Sequence, residues 1–239
     1  MEWSDRGYIL ATRKHGENAL IVSALTETRG RQAGLVRGGA GRRKRGGLQV
    51  GNLVALNWRG RLPEHLGTLT TEVLEAPASS LLDRPDGLAA LAAACAVAEA
   101  LLPEGEEHPA IFHGLAGLMT VLDDPDVGSA YVKWEVGVLG ELGFGLDLSA
   151  CAATGETENL AYVSPKTGRA VSAEAGRPYH GRLLALPAFL LGAGAAKTPA
   201  EVVDGLRLTG YFLESHALDG RAGRLAARDR LVERFQAKK

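Results

Sequence analysis

The sequence predicts an α+β chain: a small N-terminal β-barrel followed by an all-α domain that carries a small inserted hairpin. Three observations predict it. Five short runs rich in β-branched residues, punctuated by Gly, Asn or Pro, fill the first eighty residues. From Pro77 onward the apolar period changes from two to three-and-four. Between Leu148 and Gly181 the chain turns polar and Gly-rich, with one hairpin pattern inside it.

The predicted strands are Tyr8–Arg13, Ala19–Leu25, Gln32–Val36, Leu53–Trp58 and Gly67–Val73. Five strands in so short a span fit a barrel, and the OB-fold is the five-stranded barrel most used for nucleic acid. Between the third and fourth strands lies Arg37-Gly-Gly-Ala-Gly-Arg42-Arg43-Lys44-Arg45-Gly-Gly47, five cations among five glycines with no side chain to anchor a core. Adjacent like charges repel, so such a loop is mobile and either solvated or matched to a polyanion. Both readings stand at this point.

Helical spacing then recurs through Leu88, Leu91, Cys95, Ala98 and Leu102, through Ile111, Leu115, Leu118 and Leu122, and through Tyr131, Trp134, Val138 and Leu142. Pro103 and Gly105 separate the first two helices, and Asp124-Pro125-Asp126 the next. Ala161 to Ser172 reads as a hairpin turning at Lys166-Thr-Gly168. Thr198-Pro199-Ala-Glu201 starts another helix with a capping box, burying Val202, Leu206, Thr209 and Leu213. A last helix is expected from about Arg221 to Phe235. The expected domains are 1–78 (barrel), 79–147 (first helical part), 148–181 (knob) and 182–239 (second helical part).

Charge separates along the chain. The first eighty residues hold twelve basic and seven acidic side chains, a surplus of five cations, so the overall −1 leaves −6 for the remainder. From Leu81 to Glu158 only Arg84 and Lys133 are cationic, which excludes that stretch as a polyanion-binding surface. The candidate phosphate contacts are therefore Arg37, Arg42, Arg43, Lys44 and Arg45 in the loop, then Arg59 and Arg61, and on similar grounds Arg13 and Lys14. Trp58 beside Arg59 and Arg61 has two readings, a base-stacking platform or a barrel-core side chain in phase with Val54 and Leu56. Arg221, Arg224 and Arg228 share a helical face that either extends the DNA path, grips an acidic peptide or is simply solvated.

No catalytic constellation emerges. There is no Gly-Lys-Ser/Thr phosphate loop and no nucleophile elbow, and Asp123, Asp124 and Asp126 read as a helix-ending turn. Cys151, Thr154, Ser172 and Ala175 have the two-residue gaps of a zinc knuckle, but a lone thiolate will not hold structural zinc, so neither metal nor cofactor is expected. With two distant cysteines, no signal peptide, no long apolar run and no lipidation motif, a cytoplasmic protein without membrane contact is expected.

In order, Tyr8-Ile-Leu through His15-Gly-Glu-Asn, Leu25-Thr-Glu-Thr-Arg-Gly30 and the Val36-Arg-Gly loop, then Leu142-Gly-Phe-Gly-Leu-Asp-Leu148 with Cys151, Tyr162-Val-Ser-Pro-Lys-Thr-Gly-Arg-Ala-Val171 and Leu183-Leu-Ala-Leu-Pro-Ala-Phe189, resemble the RecO family of bacterial recombination mediators. The resemblance implies an OB-fold, a helical domain and a small knob, here a variant in which the zinc-finger cysteines are missing. It also implies nucleoid-associated binding of single- and double-stranded DNA, annealing of complementary strands, and cooperation with RecR and single-strand binding protein in loading RecA. The rival reading of the same cations is an RNA- or ribosome-binding OB-fold protein, and a third is an interaction scaffold whose basic loop is incidental.

Overall fold

The computed structural model describes residues 1–41, 46–62, 66–192, 194–217 and 225–238. Five strands, β1 (Glu2–His15), β2 (Ala19–Thr26), β3 (Gly30–Val36), β4 (Leu53–Arg59) and β5 (Gly67–Glu75), close into a barrel in the order β1-β2-β3-β5-β4. All pairs are antiparallel except β3 with β5. This is the expected OB-type barrel followed by a helical region.

Alternation fills the barrel. Ile9, Leu20, Val22, Ala24, Val36, Leu48, Val54, Leu56, Trp58 and Leu69 form its core. Strand β1 is longer than its apolar pattern announces, starting at Glu2 instead of Tyr8, because Glu2 to Tyr8 pair with β4 while Gly7 to His15 pair with β2. A bulge at Leu10 lets one strand serve both neighbours, which is why Tyr8, Ile9 and Leu10 are buried in succession.

The chain divides into two compact units, Met1–Asp123 with Leu225–Arg228, and Asp124–Arg224 with Asp229–Lys239. In the first, helices α1 (Pro85–Leu101) and α2 (Pro109–Met119) each start on a proline, whose missing N–H costs nothing in the first turn. Leu102 is extended at φ −81, ψ 127, as the residue before Pro103 must be to end α1. Leu88, expected on the core stripe, is 39% exposed instead. Gly87 takes the inward position, because a Cβ there would lie 1.9 Å from the Leu122 carbonyl oxygen.

Helix α1 is tied to the outer face of the barrel. Ser23 Oγ donates to Glu99 at 2.5 Å, and Arg31 Nε donates to the Leu102 carbonyl at 2.7 Å while its guanidinium pairs with Glu99 at 3.6 Å. Part of the barrel exterior is thereby covered.

In the second unit, α3 (Val127–Glu141) packs on α4 (Pro199–Phe212), and the fully buried Glu135 accepts from Tyr131 Oη at 2.7 Å and Thr209 Oγ1 at 2.5 Å. Thr198 Oγ1 caps α4 by accepting from the Glu201 N–H, while Glu201 reaches back to the Lys197 N–H, one residue beyond the Thr198 N–H of the reciprocal pattern expected. The hairpin forms as β6 (Leu160–Val163) and β7 (Ala170–Ser172), with β8 (Leu184–Ala185) on the far side of β6. Helix α5 (Ala226–Gln236) ends the described chain and buries Leu231 and Phe235, with Val232 only half-buried. Arg228 is 5% exposed, which corrects both the DNA-path and the solvated readings of that arginine; Arg221 and Arg224 lie outside the described residues.

Candidate nucleic-acid interface

Strand register decides which cations share a row. Arg13 pairs with Ile21, Ile21 with Leu35, Leu35 with Thr68, and Thr68 with Arg59. Directly paired residues point to the same side of a sheet, and Ile21, Leu35 and Thr68 are only half-buried where their neighbours Leu20, Val22, Val36 and Leu69 fill the core. These five residues are therefore one outward-facing row across all five strands, with an exposed arginine at each end. The barrel is closed, with β1 beside β4, so the row winds four of the five interstrand steps around it, roughly 19 Å along the wall.

Other exposed cations lie close to these residues in sequence. Lys14 follows Arg13, Arg61 follows Arg59, and Arg37 follows the end of β3; all three are exposed. The turn that begins at Arg37 bends toward the β1–β2 turn, where the Ala40 N–H donates to the Asn18 carbonyl at 3.3 Å. Contrary to the expectation that this stretch holds no anchor, Ala40 packs against the barrel core, and just beyond the stretch Leu48 is buried in it. Asn52 Nδ2 fastens the returning chain through the Gly46 and Gly47 carbonyls at 3.3 and 3.2 Å. Arg42, Arg43, Lys44 and Arg45 lie outside the described residues.

Pairing separates structural cations from available ones. Arg6 makes a two-pronged contact with Glu27 at 2.6 and 2.7 Å, which holds the Glu27 carboxyl below its ordinary range and raises the guanidinium. Arg31 is committed to Glu99. Arg13, Lys14, Arg59 and Arg61 have no ion-pair partner among the described residues, although Glu2 faces Arg59 across the β1–β4 ladder.

Trp58 is 2% exposed in the barrel core, so it is not itself a platform for bases. Gly67 lies so close to its indole that a Cβ there would come within 2.2 Å of the ring. The aromatic that reaches the surface is Trp3, paired with Trp58 in register and stacked on it at 5.8 Å between centroids and 7° between planes. Arg29 lies 5.3 Å from the centre of the Trp3 ring. Neither Trp3 nor Arg29 was singled out by the sequence, because Trp3 precedes the apolar run and Arg29 sits in an ordinary turn.

Comparison with known proteins agrees with the architecture. The family model described as recombination protein O N terminal matches residues 1–77, and that described as recombination protein O C terminal matches 82–224. The chain belongs to the recombination protein O family. Among similar proteins, the DNA repair protein RecO of Rhodospirillum rubrum is 52% identical over 245 residues, covering 99% of this chain and 97% of the relative. That of Rhodospirillum centenum is 51% identical over 239 residues, with 99% and 95% covered. The RecO of Caulobacter vibrioides is 51% identical over 215 residues, with 90% and 88% covered.

The knob of this recombination protein O chain does not fit zinc. Cys151 Sγ is buried and accepts from the Ser172 N–H at 3.2 Å, but the other three knuckle positions are two hydroxyls and a methyl, Thr154, Ser172 and Ala175. Burial opposes ionisation of this thiol, yet hydrogen bonds from Thr154 and Ser172 outweigh it and bring the thiol down to about 6. Local pairing ties the knob together: Ala152 N donates to Ala170 O at 2.8 Å, and Arg169 Nε contacts Asp147 at 3.3 Å.

Proposed function

We propose that this chain is a non-enzymatic mediator of DNA repair and recombination that binds single- and double-stranded DNA through its barrel and anneals complementary strands. The two exposed arginines that end the register row, neither with an ion-pair partner among the described residues, carry this reading with the cations near them in sequence, and the names of its relatives favour DNA over RNA. Phosphates held along that row lose their mutual repulsion, so two strands meet at high local concentration and pair. Charge neutralisation does this work, and no nucleotide hydrolysis or catalytic group takes part. Arg42, Arg43, Lys44 and Arg45, in the segment between β3 and β4, add their charge to the barrel's cations, together with Arg37, Arg61 and Lys14. Cooperation with RecR and single-strand binding protein, and through them delivery of RecA onto DNA at the nucleoid, completes the proposal.

The test is an annealing assay with complementary fluorophore- and quencher-labelled oligonucleotides, run beside equilibrium binding to single-stranded DNA and to structured RNA at matched salt. Acceleration of annealing without nucleotide, and tighter binding to DNA, are expected. Tighter binding to RNA would move the function to the rival class, and indifference to both nucleic acids at low salt would refute it. Replacing Arg42, Arg43, Lys44 and Arg45 together by Ala is expected to flatten the salt dependence of DNA binding.

A further inference from the structure

The mouth of the barrel holds a cavity of about 500 Å³ lined by Trp3, Arg29, Gln32, Trp58, Glu104 and Glu107 among others. We propose that this cavity receives one everted, unpaired base of the bound strand, preferring a base that carries an exocyclic amine. The proposal rests on the DNA-binding reading and adds to it a site and a ligand class.

Size, shape and charge select this ligand. The volume falls within the roughly 300–1,000 Å³ of small-molecule sites, and barrel mouths are a recurrent location for them. Trp3 is only partly buried, stacks on the Trp58 indole and carries the Arg29 guanidinium over its ring, so indole and guanidinium planes together line the cavity. Flat aromatic surfaces of this kind stack bases whatever their sequence. The lining has no cationic surplus, since Arg29 and the Met1 ammonium, which donates to the Gly60 carbonyl, are set against Glu104 and Glu107, so a phosphate gains little by entering and a neutral ring is favoured.

Its polar wall offers acceptors. Gln32 Nε2 is committed to the Arg29 carbonyl at 2.9 Å, leaving the amide oxygen to accept. Glu104 already accepts from the Ala33 N–H at 3.2 Å, while Glu107 is exposed and keeps its carboxylate for a donor. Adenine, cytosine and guanine bring an exocyclic amine to such acceptors, and thymine does not. Trp3 pairs with Trp58, and the next residue, Arg59, ends the register row on the opposite, outward side of the same strand, so a base must turn over the strand end to reach the cavity.

The experiment uses the full chain and three probes of equal length: oligo(dC), oligo(dT) and an oligonucleotide abasic at its central positions. Oligo(dC) is expected to quench indole fluorescence and to bind more tightly than oligo(dT), and the abasic probe to bind roughly tenfold more weakly without quenching. Trp3→Ala is expected to lose the same factor for oligo(dC) with no change in the salt slope, and Arg29→Ala with Gln32→Ala serves as a second variant that leaves both indoles in place. Equal binding of all three probes, or wild-type affinity in both variants, overturns the cavity while steep salt dependence keeps the DNA reading. Quenching by a Phe-containing peptide but by no oligonucleotide overturns it in favour of a protein ligand. If no oligonucleotide binds at low salt, both readings fall together.

Discussion

Replacing Arg13 and Arg59 with Ala tests the arginine row, and the size of the effect follows from counterion release. The two side chains are exposed, have no ion-pair partner among the described residues, and end one continuous register row. If each neutralises one phosphate, the slope of log K against log salt falls by about 0.7 per contact on single strands and about 0.9 on duplex, giving about 1.4 and 1.8 for the double variant. From 50 to 200 mM salt, a slope difference of 1.4 narrows the affinity gap between wild type and variant about sevenfold. Fluorescence anisotropy with a labelled single strand at five salt concentrations reads this directly. Arg6→Ala is the control, because the Arg6 charge is already matched by Glu27 at 2.6 Å and its removal is expected to leave the slope unchanged. Surface positions of this kind shift stability by about 0.5 kcal/mol or less, so thermal melting should not separate the variants. Parallel salt plots for wild type and the double variant, or an equal loss in Arg6→Ala, would refute the row.

Three further outcomes are expected. Leu56→Ala removes a side chain that is 1% exposed in the barrel core and should cost about 2–5 kcal/mol in urea unfolding; a loss under about 1 kcal/mol would mean that the barrel core collapses around the gap. Gly30 sits at φ +65 with a would-be Cβ 1.7 Å from the Glu106 carbonyl oxygen, so Gly30→Ala should lower the melting temperature by several degrees, and an unchanged melt would contradict that close approach. The Cys151 thiol, down at about 6, lies below its unfolded value of about 8.5, so its ionisation contributes stability that is fully present above the unfolded value and lost as pH falls through 6. Melting of the wild type should therefore rise across that window relative to Cys151→Ser, and superimposable pH profiles would remove the thiolate from the account.

Much of the barrel is legible in the chain because strand alternation is a local property. Val54, Leu56 and Trp58 share a parity, and the same parity puts Arg59 outside without reference to any other strand. Helix starts are local too, since Pro85, Pro109 and Pro199 each fit only the first turn. Leu88 shows where locality ends: its spacing is correct for the core, but the approach of the Leu122 carbonyl reserves the inward place for Gly87. Arg228 reads as a surface residue on an amphipathic helix, and burial of an arginine depends on partners far away in sequence.

By itself the sequence determined the strands, the change to helical period, the charge separation and the loss of a zinc ligand set, because each is written in residue type and spacing. Tertiary structure alone decided that Arg13 and Arg59, 46 positions apart, end one row, and that Trp3 stacks on Trp58 at the mouth of the barrel. Interstrand register is set by pairing between distant segments, and a slip of one residue would turn every one of these side chains to the opposite face.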